Sequence, residues 1–243
     1  MKNGGNTALD GARRRRLYLF RHGAVDYVDA AGNWVADPDA VRLNSRGETQ
    51  ARAMAQAFAH VAVDKALCSG LPRTRQTADI VLADRGLKLG VVAGLEEIRP
   101  VRAEAAPNFD LLNDVAYTHW RAGDPEARFL GGERYADFYA RVVESIEAIL
   151  ADQSWSSLAV FAHGGTNLAL LGWASGLGKA AFGAFDQQTC CLNVIDFDTC
   201  AASGAMRRST IRALNATAED PLKHERRAGD LELLAGFLQR ANS

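Results

Sequence analysis

At 243 residues, with 48% hydrophobic and 23% charged side chains, the chain suits one globular domain with short appendages and can bury a full core. Its 28 basic and 29 acidic side chains leave a formal net charge of −1. That excludes a global basic field for nucleic acid or an anionic membrane, so phosphate binding must come from a few placed arginines. Cys68, Cys190, Cys191 and Cys200 show neither C-x-x-C spacing nor disulfide-framework density, and the adjacent pair would alternate across a strand as buried free thiols. Residues 1–10 hold no apolar signal segment and no apolar run reaches transmembrane length, which sets a cytoplasmic expectation.

In chain order, residues 1–12 are rich in Gly and Asn and read as a disordered tail, and Arg13 to Arg16 as a solvated basic lead-in. A first strand at 17–20 ends in Arg21-His22-Gly23. This junction can hold an imidazole at the edge of a sheet, with an arginine beside it to meet an anion and a glycine where the backbone turns; open α/β sheets bind ligands at such strand ends. Residues 24–43 read as a loop on that same side, carrying Asp26, Tyr27, Trp34 and Pro38. Ser45-Arg46-Gly47-Glu48 reads as a capping box, with Ser45 accepting the Glu48 amide, and opens a helix through Ala51, Ala55 and Phe58. A strand at 66–68 follows. Pro72 fits the first turn of a helix that ends near Gly86.

Residues 90–92 form a short predicted strand leading to Leu95-Glu96-Glu97-Ile98, and 108–120 is helix-like but weakly patterned. Gly131-Gly132 precede an amphipathic helix bearing Phe138, Val142, Ile146 and Ile149. A strand at 158–162 ends in His163-Gly164-Gly165 and feeds a helix that stops near Gly176. Late strands are predicted at 191–197 and 210–214. The alternation predicts a three-layer α/β/α sandwich with a mostly parallel central sheet. The domain is placed at 13–215, after a tail at 1–12 and before a C-terminal extension at 216–243. A helix at 231–238 is expected to pack on its own domain, with homodimerisation left open.

Five motifs in order carry a resemblance: Arg21-His22-Gly23; 43–51, Leu-Asn-Ser-Arg-Gly-Glu-Thr-Gln-Ala; 69–78, Ser-Gly-Leu-Pro-Arg-Thr-Arg-Gln-Thr-Ala; Leu95-Glu96-Glu97-Ile98; and His163-Gly164-Gly165-Thr166. Over about 17–214 the chain resembles the histidine phosphatase superfamily, which also contains the cofactor-dependent phosphoglycerate mutases. The resemblance implies a phosphoglycerate mutase-like fold and a phosphomonoesterase acting on a small phosphorylated metabolite.

It implies that a neutral His22 attacks phosphorus, giving a phosphohistidine. Arg21 and Arg73 would fork onto the phosphate oxygens, and His163, protonated or donating, would complete the cluster. Backbone N–H groups at Gly164 would add to it. Glu97 matches the general acid, with Glu96 as a solvated neighbour. Arg75 reads as a helix-surface cation, Glu133 as a helix-start charge, and His60, His119 and His224 as surface or core residues. No cofactor and no metal are implied: two histidines lack a third ligand at metal spacing, and adjacent arginines repel a cation.

Two departures favour the phosphatase branch. Gly165 stands where the mutases typically have Asn, and Ala24-Val25 replaces their Glu-Ser after Arg-His-Gly. The stretch between acid and second histidine also lacks their arginine pair and Pro-rich continuation. A phosphoglycerate mutase is the alternative, and a non-catalytic phosphate-binding module a further one. The physiological substrate is not encoded in these motifs; Tyr27, Trp34, Arg102, Tyr117 and Trp120 are candidates to line its pocket.

Overall fold

Strand β1 (Ala12–Arg21) begins before the arginine run, at Ala12 rather than Leu17, so Arg13 to Arg16 are not a solvated lead-in. The reason is the neighbouring strand. β5 (Leu192–Cys200) runs antiparallel to β1 and sets Asp198 opposite Arg14 and Asp196 opposite Arg16. Both carboxylates are buried, and each is shared with an arginine of β6 (Met206–Ala216): Arg208 lies 2.5 Å from Asp198 and Arg212 2.8 Å from Asp196. Arg15 is buried, 3.5 Å above the Trp155 ring, and donates to the carbonyls of Trp155 and Leu150. Buried charge is tolerated here because each group is paired and hydrogen-bonded.

The computed structural model describes residues 12–29, 33–83, 85–101, 110–224 and 227–241. Apart from Ala12, the tail expected at 1–12 lies outside them, as does Arg102. Six strands form one sheet in the order β3–β2–β4–β1–β5–β6. β2 (Lys65–Cys68), β3 (Leu89–Val91), β4 (Ser157–Ala162) and β1 are parallel, and β5 and β6 close the sheet as an antiparallel pair. Helices α1 (Ser45–Phe58) and α2 (Pro72–Val81) cover one face, setting Met54, Phe58 and Val81 against Phe20 and Phe161. Helices α3 (Tyr135–Ala151) and α4 (Gly164–Ser175) cover the other, burying Phe138, Val142 and Leu171 with Leu17, Leu19 and Val160. Side chains alternate along β1, so its two faces feed two cores. The architecture is the mostly parallel three-layer sandwich.

Local departures have local causes. Helix α1 is capped by Asn44, not Ser45: the Asn44 side chain accepts from the Gly47 amide at 2.9 Å, and its own amide donates to Asp26. Asparagine can do both at once, whereas Glu48 turns outward to Arg52. Helix α2 stops at Val81, short of Gly86, and Arg85 folds back to donate to the carbonyls of Phe58 and Val61. Cys190 and Cys191 lie in a turn before β5, with Cys190 at φ 59, and both are buried. The weakly patterned 108–120 becomes a π-helical turn (Leu111–Ala116) and a 3-10 turn (Thr118–Arg121). After a short helix, α5 (Ala181–Ala184), and the closing strands, the C-terminal helix α6 (Asp230–Ala241) rests Ala235 on Val115 and Leu130. No helix among the described residues is long and apolar enough to cross a membrane.

Gly23 and Gly47 are where the sheet edge meets α1. A Cβ on Gly47 would stand 2.1 Å from the Ala24 oxygen, and one on Gly23 2.5 Å from the Gly47 oxygen. Only backbone fits between the first turn of α1 and the segment leaving β1. Gly47→Ala is therefore expected to destabilise the fold by roughly 1–3 kcal/mol, as overpacking does. A thermal melt reads this directly, and an unchanged melting temperature would show that the contact can relax.

Candidate active site

The register of the sheet brings the two histidines together. β1 pairs with β4 so that Arg21 lies beside Ala162, and the next residues are His22 and His163. Their rings lie with centroids 5.2 Å apart, and both side chains are buried. The His22 backbone is pinned by its amide to the Ala162 carbonyl at 3.1 Å and its carbonyl to the Cys190 amide at 2.9 Å. The following amides of Gly23 and Ala24 donate to Thr77 Oγ1 and Gln50 Oε1. His22 Nδ1 lies 2.8 Å from the Gly23 carbonyl oxygen. A carbonyl can only accept, so Nδ1 carries the proton and Nε2 keeps its lone pair.

His163 is oriented from β2. Its Nε2 lies 2.8 Å from Ser69 Oγ, which lies 3.0 Å from Thr74 Oγ1, and the Thr74 hydroxyl donates to the Leu71 carbonyl at 2.8 Å. With its single proton given to Leu71, Thr74 accepts from Ser69, and Ser69 accepts from His163 Nε2–H. Nδ1 is then the unprotonated side, and it has no partner among the described residues. Burial, then the charges of Arg73 and Arg21, push the His22 imidazole well below its ordinary pKa. Burial and Arg73 do the same for His163, whose Nε2–H serves as the donor to Ser69.

Arg21 ends β1 and donates Nη1 to the Gln187 carbonyl and to Asp230 at the start of α6. Gln187 is held by buried amides, accepting from Asn167 and Asn193. Arg73, delivered by Pro72 at the start of α2, donates Nη1 to the Pro38 carbonyl at 2.9 Å. Its guanidinium lies 5.7 Å from the Tyr27 ring centre. The Nε atoms of both arginines are buried without a partner among the described residues. Gly164 lies against Arg21: a Cβ there would come 3.3 Å from Arg21 Nε.

Glu97 accepts from the amide of Ile98 at 3.0 Å and from that of Gly165 at 3.1 Å. A Cβ on Gly165 would stand 2.6 Å from Glu97 Oε1, so glycine at this position is what lets the carboxylate reach the start of α4. Glu96 instead pairs with Arg99 at 2.8 Å. Glu133 is more than a helix-start charge: it pairs with Arg141, which donates to the carbonyls of Gly94 and Glu96 and fixes the acid segment. Arg21, His22, Arg73, Glu97 and Gly164 line one cavity of about 990 Å³. Among the described residues, no group of three His, Cys, Asp or Glu side chains could hold a metal ion.

This geometry has relatives. A family profile described as the histidine phosphatase superfamily (branch 1) matches residues 17–207, and the chain belongs to that superfamily. The adenosylcobalamin/alpha-ribazole phosphatase of Escherichia coli (strain K12) is 28% identical over 206 residues, 84% of this chain and 97% of that protein. A probable 2-carboxy-D-arabinitol-1-phosphatase of Arabidopsis thaliana is 30% identical over 216 residues, 86% of this chain and 43% of that one. The crystal structure of the alpha-ribazole phosphatase from Shigella flexneri superposes with a TM-score of 0.67 at 25% identity, covering 83% of this chain and 96% of that one. The chain is a hydrolase of the histidine phosphatase type.

Sequence reasoning did not single out Asp230, Gln187, Ser69 or the Asn167–Asn193 pair. Ser69 opens a quoted motif and was within reach; Asp230 had no local signal. It also missed that His119 lines the cavity. The His119 ring is half-buried against Tyr135, and desolvation with the charge of Arg21 pulls its pKa down to about 4.

The three depressed imidazoles have a consequence for stability. Unfolded histidines take up protons near pH 6.5, whereas the folded ones stay neutral to lower pH. Their stabilising contribution is therefore full above that value and is lost progressively as the pH falls towards the folded pKa values. Melting temperature should fall between about pH 7.5 and about pH 5, and the fall should be smaller in His22→Asn. An equal fall in variant and parent would show that His22 carries no such shift.

Proposed function

We propose that the protein is a phosphomonoesterase that hydrolyses a small phosphorylated metabolite through a phosphohistidine on His22. The observation that carries the reading is the convergence of unpartnered polar atoms. Arg21 Nε, Arg73 Nε and His163 Nδ1 are buried without partners among the described residues, beside an imidazole whose Nε2 is unprotonated. Buried polar groups rarely stay unpaired, and the charges of Arg21 and Arg73 bear on both imidazoles, a donor set suited to a phosphoryl group.

In the first step the His22 Nε2 lone pair attacks phosphorus in line, and the bond from phosphorus to the leaving oxygen breaks as Glu97 gives that oxygen a proton. Arg21 and Arg73 take the non-bridging oxygens. On binding of the dianion His163 takes a proton from solvent at Nδ1, donates it in a hydrogen bond to the phosphoryl group and returns it to solvent when phosphate leaves; these donors gain most as charge builds in the transition state. In the second step Glu97, now a carboxylate, takes a proton from water as the water oxygen attacks phosphorus. The N–P bond breaks and neutral His22 returns. No step calls for a cofactor. The catalytic unit is residues 13–215, and the 216–243 extension supplies part of the cavity wall through Asp230 and Leu231. Buried free thiols at Cys68, Cys190 and Cys191 suit the reducing cytoplasm.

His22→Ala should lower phosphate release from 4-nitrophenyl phosphate by at least about a thousandfold; near-parental activity would remove His22 from the mechanism. Glu97→Gln should cost about a hundredfold or more on alkyl phosphates and less on activated aryl esters, whose leaving group needs no proton. An equal loss on both would deny Glu97 the acid role. Activity should persist in a chelator and be blocked by vanadate. If 3-phosphoglycerate with 2,3-bisphosphoglycerate were isomerised faster than phosphate is released, the mutase reading would replace this one.

A further inference from the structure

The cavity extends well beyond the phosphoryl site. About 990 Å³ is at the upper end of the range for sites that hold drug-sized ligands, far more than a phosphate on a short acid would fill. Part of its wall is aromatic. Tyr27 stands 5.7 Å from the Arg73 guanidinium, and Trp34, Phe185 and Trp120 also line the cavity. Trp120 is 73% exposed, a large apolar surface for one side chain to leave in water.

Its seat is specific. The fused ring of the indole lies on Gly183 of α5, where any Cβ would come within 3.2 Å of Trp120 Cδ2. Glycine thus lets the ring lie against the helix backbone and leaves the rest of the indole exposed. Trp34 is also partly exposed, at 36%.

The charges of the wall narrow the ligand further. Beyond the phosphoryl site, carboxylates of Asp37, Asp39, Asp186 and Glu232 line the cavity among the described residues. Against these four carboxylates stand two other lining guanidiniums, Arg99, which is held by Glu96 at 2.8 Å, and Arg227, which is exposed as the four carboxylates are. A second phosphate or a carboxylate on the leaving group would meet mostly negative charge, whereas a neutral ring would meet aromatic faces.

Resting on the phosphatase reading above, the geometry points to a substrate class: phosphomonoesters whose leaving group carries an uncharged, flat aromatic ring, stacked on Trp120. Trp120 is then a specificity-determining residue remote from the reacting atoms, and its effect falls on KM more than on kcat.

The test compares 2-phenylethyl phosphate with 2-cyclohexylethyl phosphate. The two have similar leaving oxygens and size, and the cyclohexyl ester is the more hydrophobic, so a merely greasy pocket would prefer it. Stacking predicts kcat/KM about fivefold higher for the phenyl ester. Trp120→Ala should collapse that ratio towards one, chiefly through KM, and Trp120→Phe should retain most of it. The ratio is taken within each variant, so a partly unfolded preparation does not alter it. A parental ratio at or below one, or a ratio untouched by Trp120→Ala, would overturn the assignment. If 4-nitrophenyl phosphate is still hydrolysed in that case, the substrate class alone falls; if even that ester is inert, the phosphatase reading falls with it.

Discussion

The parallel register between β1 and β4 is the constraint on which the rest of the site depends. Arg21 pairs with Ala162, so the residue that leaves each strand is a histidine, and the two imidazoles meet at the carboxyl ends of the two central strands. A slip of one residue would turn one ring into a helical layer. Much of the surrounding chain serves to hold that register. The Gly23–Gly47 contact lets α1 close on the end of β1, and the Ala162 carbonyl and Cys190 amide pin the His22 backbone from both sides. The paired arginines and aspartates of β1, β5 and β6 fix the far half of β1 against its antiparallel neighbour.

The electrostatics of the site follow from this placement. Two buried imidazoles 5.2 Å apart feel the charges of two arginines that are permanently charged, so the imidazoles give way and become neutral. That is the state a nitrogen nucleophile needs. Asp230 offsets part of the charge of Arg21 while occupying Nη1, which leaves the Nε edge for a ligand. The end of the chain thereby contributes to the site built by its beginning. Glu97 sits across from them at the start of α4, and it reaches there because position 165 has no side chain.

The parts legible in the sequence were those written locally. Strand-end histidines followed by glycine, a proline at the start of a helix and amphipathic periodicity in α3 each depend on a few neighbouring residues, and the fold class followed from their alternation. What was not legible depended on partners distant in the chain. Arg13 to Arg16 looked solvated because Asp196 and Asp198 lie some 180 residues away and come opposite only once β5 pairs with β1. The cap of α1 was displaced by one residue because Asn44 also bonds Asp26, a contact made across the active-site loop. Asp230 could not be found without knowing that α6 returns to Arg21. The aromatics were legible as residues but not as a wall: Trp34 and Trp120 line the cavity, whereas Tyr117, exposed like them, is not among the residues that line it.

The central claim is that the neutral, pinned His22 receives the phosphoryl group. Its most direct test is rapid quenching of the enzyme with a phosphomonoester, followed by mapping of the acid-labile phosphate by mass spectrometry under alkaline conditions. The account predicts a phosphoryl group on the peptide containing His22, attached to that imidazole. Rapid turnover with no labelled enzyme, or label on His163 or on any other side chain, would contradict it.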